Sequence, residues 1–169
     1  MKGPRVPRGS SLERAIQTNS VDLLSYLGRR VAIEDAPDLL GETFAIAWRR
    51  ENDVPTDPEQ ARMWLFGVAR GALQNYRRGQ RRRWALAERV RNNASPSDLA
   101  PAADEHVEVR DAIARLEPDL SELVQLVHWD GMSLAEAAQI VGIPASTARS
   151  RYQRAKEQLR TALSTPAPG

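Results

Sequence analysis

Apolar residues recur along the chain at spacings of three and four positions, which is the period of an α-helix. A first helix is predicted over residues 20–32, from the stripe Val21, Leu23, Leu24, Leu27 and Val31. A second is predicted from Asp35, placed as an N-cap before Pro37, to about Arg50, and a third from about Pro58 to Tyr76. Alternation with a period of two, the mark of a half-buried strand, is absent over any useful length. The pattern therefore predicts an all-α protein.

The second half of the chain predicts four further helices. They cover about residues 105–116, 118–129, 133–142 and 145–163. Before them, residues 92–104 are rich in Asn, Ser, Pro and Ala, a composition typical of a flexible linker. We therefore predict two small helical domains, at residues 20–86 and 105–164. A flexible arm over residues 1–19 and a linker over residues 87–104 complete the chain.

A helix-turn-helix is predicted near the C-terminus. Ser133 and Glu136 have the spacing of a capping box, and Gly142 is suited to end the short helix in a left-handed conformation. Small residues at Ala138 and Ala148 would let two helices cross closely. The second helix would then present a polar surface suited to reading DNA in the major groove, made of Ser146, Thr147, Arg149, Ser150, Gln153 and Arg154.

Charge is distributed unevenly, although the net charge is only +2. Residues 77–91 hold seven Arg against the single acid Glu88, and residues 149–160 hold five basic residues against Glu157. The intervening residues 98–122 hold eight acids against Arg110 and Arg115. Two basic segments on either side of an acidic one indicate two separate contacts with a polyanion, although a solvated helix surface would also account for such charges.

Composition excludes several classes of protein. The 169 residues include no Cys and only two His, His106 and His128, so neither a disulfide framework nor a thiolate metal site is possible. No phosphate-cradling glycine loop is present, and we expect neither a cofactor nor enzymatic activity. The basic N-terminus is followed by no apolar segment, and no run of about 18 apolar residues occurs. We therefore expect a cytoplasmic protein without membrane insertion.

The C-terminal half resembles region 4 of the extracytoplasmic-function (ECF) sigma factors of bacterial RNA polymerase. The similarity rests on Gly131-Met132-Ser133, Glu136-Ala137-Ala138, Gly142-Ile143-Pro144 and Thr147-Ala148-Arg149-Ser150-Arg151, followed by Arg154-Ala155-Lys156. In that family the final helix reads the minus-thirty-five promoter element. The resemblance therefore implies DNA contacts from Ser146, Thr147, Arg149, Ser150, Arg151, Gln153 and Arg154.

The N-terminal half is similar to region 2 of the same family. One block is Asp35-Ala36-Pro37-Asp38-Leu39-Leu40-Gly41-Glu42-Thr43-Phe44, and another is Trp64-Leu65-Phe66-Gly67-Val68-Ala69-Arg70. The first resembles the helix that docks on core RNA polymerase, which implies contacts from Asp35, Asp38, Leu39, Glu42 and Thr43. The second resembles the helix that helps to open the minus-ten element. It implies DNA contacts from Trp64, Arg70, Asn75, Arg77, Arg78, Arg81 and Arg82, although Trp64 also suits a core position.

The resemblance implies a sigma factor whose partners are core RNA polymerase, promoter DNA in duplex and opened form, and an anti-sigma factor. Two other hypotheses remain open from the residues. A stand-alone helix-turn-helix regulator would account for residues 133–160 alone. A helical module that binds only proteins would need no basic surface around Arg149 and Arg154.

Overall fold

The computed structural model describes residues 8–90 and 107–164, with side chains from residue 11 onward. Within these residues the chain forms seven α-helices, one 3-10 turn at Glu51–Asp53 and no strand, which confirms the all-α prediction. The helices are α1 (Arg8–Gly28), α2 (Ala36–Arg49), α3 (Pro58–Val90), α4 (Val107–Ala114), α5 (Pro118–His128), α6 (Leu134–Val141) and α7 (Ala145–Ser164). None of the described helices is both long enough and apolar enough to cross a membrane.

The chain divides into two compact units, the first containing α1 to α3 and the second α4 to α7. In the first unit each helix packs against the other two. Its core contains the fully buried leucines Leu23, Leu27 and Leu65, and an edge-on contact between Tyr26 and Phe66 with ring centroids 5.4 Å apart. Aromatic pairs favour this geometry because the positive ring edge meets the negative ring face.

Helix α1 begins twelve residues earlier than predicted, so the flexible arm over residues 1–19 is wrong for residues 8–19. The buried stripe starts at Leu12 and continues through Ala15 and Asn19. Asn19 is buried because its amide donates to the Ala15 carbonyl at 2.8 Å and accepts from Arg62 at 2.9 Å. Pairing of this kind offsets the cost of burying a polar group. Because Asn19 is polar, the apolar period did not extend before residue 20, and the first part of α1 was not predicted.

The predicted apolar stripe of the first helix was right for Leu23 and Leu27, which are buried, and wrong for Val21 and Leu24. Val21 is 74% exposed and Leu24 is also exposed, whereas the buried side chains nearby are Leu23, Tyr26 and Leu27. These three continue the spacing set by Leu12, Ala15 and Asn19. The buried side of α1 is therefore set by positions along the whole helix, from Leu12 to Leu27, and not only by the apolar residues of its second half.

Helices α2 and α3 begin by different means. Asp35 occupies the N-cap position of α2, as predicted, but its backbone is already helical and its side chain makes no capping bond. Its carboxylate instead accepts a hydrogen bond from the Tyr76 hydroxyl at 2.6 Å. The start of α3 is capped by Asp57, whose carboxylate accepts from the Gln60 amide at 3.0 Å.

Helix α3 is longer than predicted. It continues past Tyr76 to Val90, and residues 81–90 are exposed on every side. The proposed linker over residues 87–104 is therefore wrong for residues 87–90, which are helical. Residues 91–104 of that linker, and residues 105–106 of the predicted second domain, lie outside the described residues.

In the second unit α7 packs against α4, α5 and α6. The core beneath α7 contains Ile113, Leu116, Leu120 and Val124 around the fully buried Ala155, with Trp129, Tyr152 and Leu159 packed against it. A buried alanine at this position lets the α7 backbone lie close to its neighbours. The polar residues of α7 are thereby left on the opposite side.

Candidate nucleic-acid interface

The helix-turn-helix of α6 and α7 forms as predicted. The Ser133 hydroxyl accepts from the Glu136 amide at 3.1 Å, and the Glu136 carboxylate accepts from the Ser133 amide at 2.7 Å, which completes the capping box. Gly142 ends α6 with φ of 80°. Ala138 and Ala148 are both buried, as the predicted close crossing of the two helices requires.

The predicted DNA-binding residues of α7 divide between its outer surface and one edge. Ala148 and Ala155 point into the core, and at 100° per residue the opposite side carries the exposed residues Ser146, Arg149, Ser150 and Gln153. Thr147 and Arg151 are only half-exposed and lie along one edge of the helix, which also carries the exposed Arg154. Ser150 donates its hydroxyl hydrogen to the Thr147 carbonyl at 3.1 Å.

Two acids at the start of α5 pair with the arginines on that edge of α7. Asp119 lies 3.3 Å from Arg151, and Glu117 accepts a hydrogen bond from Arg154 at 3.1 Å. On the other edge, Tyr152 lies 2.7 Å from His128 and has Lys156 5.2 Å from its ring centroid. One edge of α7 is therefore paired with acids, whereas the other carries Tyr152 and Lys156.

The predicted minus-ten residues lie along two stripes of α3. Taking 100° per residue, Trp64, Asn75, Arg78 and Arg82 share one stripe, which borders the buried Ala61 and Val68, and Arg70, Arg77 and Arg81 share a second stripe. Arg78 donates to the Asn75 side-chain oxygen at 2.6 Å, which fixes both groups on the outer surface. Arg81 and Arg82 are fully solvent-facing on the part of α3 that extends beyond the bundle.

Trp64 is half-buried, and the Arg50 guanidinium lies 5.7 Å from its ring centroid. Arg50 is itself paired with Asp53 at 3.2 Å, so the start of the loop between α2 and α3 is tied to Trp64. A cavity of about 240 Å³ opens between α1 and the end of this loop, lined in part by Thr18, Pro55 and Thr56. The loop thus borders both an aromatic surface and a concavity.

The five predicted polymerase contacts, which lie in α2 and just before it, differ in their exposure. Asp38 and Glu42 are exposed and one turn apart, so together they form an acidic surface. Leu39 and Thr43 are buried in the core, where the Thr43 hydroxyl donates to the Leu39 carbonyl at 2.8 Å. The prediction that Leu39 and Thr43 contact a partner is therefore wrong, because neither side chain is accessible from outside the unit.

Asp35, the fifth of these residues, anchors the loop before α2 to α3. Tyr76 donates to it at 2.6 Å and accepts from Gln80 at 2.8 Å. Burial, and then the hydrogen bond to Asp35, raise the pKa of Tyr76 above its usual 10.0. Its hydroxyl therefore stays protonated and the bond persists at physiological pH.

Two exposed tryptophans were missed as candidate contacts. Trp48 is 43% exposed near the end of α2, the helix that also carries Asp38 and Glu42. Trp84 is 47% exposed and continues the stripe of Arg77 and Arg81 on α3. The available signal for Trp84 was its position next to the arginines at 81–83. For Trp48 the signal appears only once the orientation of α2 is known.

A helix-turn-helix unit and a separate three-helix unit with an arginine-rich helix define a DNA-binding transcription protein of two parts. Two families match these same units: Sigma-70 region 2 over residues 15–83, and Sigma-70 region 4 over residues 106–159. The ECF RNA polymerase sigma factor SigC of Mycobacterium tuberculosis is 31% identical over 159 residues, which cover 89% of this chain and 82% of SigC. SigL of the same organism is 30% identical, over 76% of this chain and 74% of SigL.

Solved structures give the same fold. RpoE of Bartonella quintana, in complex with the anti-sigma factor NepR, superimposes with a TM-score of 0.64 at 22% identity, over 91% of this chain and 99% of RpoE. CnrH, in complex with the cytosolic domain of CnrY, gives a TM-score of 0.62 at 23% identity, over 92% of this chain and 89% of CnrH. The chain belongs to the ECF sigma factors of the sigma-70 family.

Proposed function

We propose that α7 reads the minus-thirty-five element of a promoter in the major groove. The observation that carries this proposal is the outward surface of Ser146, Arg149, Ser150 and Gln153 on the second helix of a helix-turn-helix. Arg binds the O6 and N7 atoms of guanine bidentately, and Gln binds adenine in the same manner. Ser146 is in the first turn of α7, where a hydroxyl and free amides suit a phosphate.

Helix α3 is the proposed contact with the minus-ten element. Four exposed arginines on the two stripes, Arg77, Arg78, Arg81 and Arg82, would bind phosphates and make the affinity strongly dependent on salt. The loop before α3, whose start is tied to Trp64 through Arg50 and whose end lines the cavity, would hold a base that has left the stack. Extracting one base costs a few kcal/mol, which contacts with the flipped base offset.

Helix α2 is the proposed contact with core RNA polymerase. Asp38 and Glu42 supply negative charge suited to a basic partner surface, and Trp48 supplies exposed apolar area near the end of the same helix. Promoter opening would follow docking of both units on the enzyme. The protein would act in the cytoplasm as a specificity subunit, without a catalytic site of its own.

An anti-sigma factor is the proposed inhibitory partner, since RpoE and CnrH were each solved with a protein partner bound. Covering the acidic surface of α2 would block polymerase docking. No residue of this chain is assigned to that contact, because only the fold is shared with those structures. Pull-down of a chromosomally tagged chain from unstressed cells, followed by mass spectrometry, would identify the partner.

Transcription in vitro with purified core polymerase on genomic DNA tests the proposed function and defines both promoter elements. The expected result is transcripts that start downstream of one shared pair of elements and that require this chain. Arg149→Ala and Gln153→Ala should each cost about 1–3 kcal/mol at one upstream base pair. Gln158→Ala, an exposed glutamine further along α7, is the matched control. A stand-alone regulator would bind the DNA but start no transcript, and this outcome would reject the proposal.

A further inference from the structure

The two edges of α7 are where promoter phosphates would pass. The major groove of B-DNA is about 12 Å wide, and a helix with its side chains is about 10–12 Å across. A helix that fills the groove therefore brings the residues of both edges close to the two phosphate backbones. On one of these edges lie Arg151 and Arg154, which suit phosphate contacts.

Both of these arginines already have an anionic partner within their own unit. Arg154 donates to Glu117 at 3.1 Å, and Arg151 lies 3.3 Å from Asp119. Glu117 and Asp119 are two residues apart at the start of α5, so one short segment supplies both carboxylates. The side chains of both acids are more than half exposed, at 62% and 67%, so solvent and DNA can reach them.

A carboxylate in this position opposes DNA binding in two ways. It occupies the guanidinium that a phosphate would otherwise contact, and it repels a phosphate that comes within a Debye length of about 8–10 Å. Exposed ion pairs of this kind are weak, so a phosphate can displace the acid. The acids therefore lower the affinity for DNA without preventing binding.

Resting on the proposed function of α7, we propose that Glu117 and Asp119 compete with promoter phosphates for Arg154 and Arg151. This competition sets how strongly the chain binds DNA irrespective of sequence. Phosphate contacts carry no sequence information, whereas the contacts of Arg149 and Gln153 with base edges do. Weaker phosphate contacts raise the fraction of the binding energy that depends on sequence. The acid pair thus limits the sequence-independent part of the upstream contact.

The test measures binding of the full-length chain to two fluorescein-labelled duplexes at a series of chloride concentrations. One duplex carries the upstream element defined by transcript mapping, and the other is a shuffled sequence of equal length. Glu117→Gln and Asp119→Asn should each tighten binding to the shuffled duplex about two- to fivefold, the value of one exposed ion pair. The slope of log affinity against log chloride should steepen by about one for each additional phosphate that the protein neutralises. Because phosphate contacts form with either sequence, binding to the promoter duplex should tighten by a similar factor, and the ratio of promoter to shuffled affinity should stay unchanged.

Three controls isolate the mechanism. Glu108→Gln, an exposed acid of α4 in the same unit, makes the same charge change and should leave the salt dependence unaltered. In an Arg151→Gln/Arg154→Gln background, the two acid substitutions should no longer steepen the salt dependence. Unfolding of each variant is measured as well, because acids at the start of α5 also stabilise the helix through the positive end of its dipole.

The outcomes separate this proposal from the proposed function. The same steepening in the background without the two arginines, or with Glu108→Gln, would overturn the competition while leaving α7 as the DNA-reading helix. Unchanged affinity of the Glu117 and Asp119 variants for the shuffled duplex would also overturn the competition. If Arg149→Ala instead left the preference for the promoter duplex intact, α7 would not be the reading helix, and both proposals would fall.

Discussion

Gly142 joins the two helices of the helix-turn-helix, and its replacement by alanine gives a sharp test of the fold. Its φ of 80° and ψ of 36° lie in the left-handed region. Its amide and that of Ile143 both donate to the Ala138 carbonyl, at 2.9 and 3.0 Å, which closes the end of α6. A β-carbon added at Gly142 would find no non-neighbouring heavy atom within 4 Å. Any cost of Gly142→Ala is therefore conformational and not a clash.

The magnitude follows from two opposing terms. Holding an L-residue in the left-handed region costs roughly 1–2 kcal/mol. Alanine also restricts the unfolded chain, which returns about 0.4–1 kcal/mol. We expect Gly142→Ala to destabilise the second unit by about 1 kcal/mol, or roughly a fivefold change in its unfolding equilibrium.

Gly71 supplies the matched control. It also has no heavy atom within 4 Å of an added β-carbon, but it lies in the middle of α3 with helical geometry. Gly71→Ala should therefore stabilise the first unit by about 0.5–1 kcal/mol. The same substitution thus has opposite signs at the two positions, because only the backbone conformation differs.

Hydrogen exchange read peptide by peptide in the intact chain measures each unit separately. Gly142→Ala should speed exchange of the most protected amides of α5 to α7 about fivefold and leave those of α1 to α3 unchanged. Gly71→Ala should slow exchange in α1 to α3. Unaltered protection of α5 to α7 in Gly142→Ala would refute the assignment of Gly142 as a conformational requirement.

Three further substitutions test single contacts of the first unit. Tyr76→Phe removes the bond to Asp35 and should cost about 1 kcal/mol in urea unfolding. Because the pKa of Tyr76 is raised in the folded unit, the contribution of Tyr76 to the free energy of unfolding is full below pH 10.0 and is lost as the pH rises through the folded pKa. Tyr76→Phe should therefore lose less stability at alkaline pH than the unsubstituted chain. Trp48→Ala should weaken binding to core polymerase by about 2 kcal/mol in a competition assay, with exposed Val21→Ala neutral. Trp84→Ala should reduce permanganate-detected promoter opening about fivefold, because roughly 1 kcal/mol of stacking is lost, whereas Trp84→Phe should retain most of the opening. Equal opening by the Ala and Phe variants would exclude a stacking role.

Local signals made the second unit the easier one to predict. The capping box of Ser133 and Glu136, the left-handed Gly142 and the small Ala148 act over a few residues, and each is visible in the sequence. The outward surface of α7 follows directly from its period once Ala148 and Ala155 face inward. These features needed no knowledge of distant parts of the chain.

The first unit required tertiary information. The start of α1 depends on Asn19, whose burial is made favourable by Arg62 on another helix, 43 positions along the chain. The sequence could predict that α2 is amphipathic, but packing against α1 and α3 selects the side that is buried. That selection placed Leu39 and Thr43 in the core and left Trp48 exposed.

By itself, the sequence determined the helical class, the helix-turn-helix and the basic segments, because period, caps and net charge are properties of neighbouring residues. Only the tertiary structure decided which arginines of α7 have an acidic partner. Glu117 and Arg154 are 37 positions apart, and their contact exists because α5 and α7 pack together. Helix packing brings distant charges within hydrogen-bonding distance, and no local pattern encodes that distance.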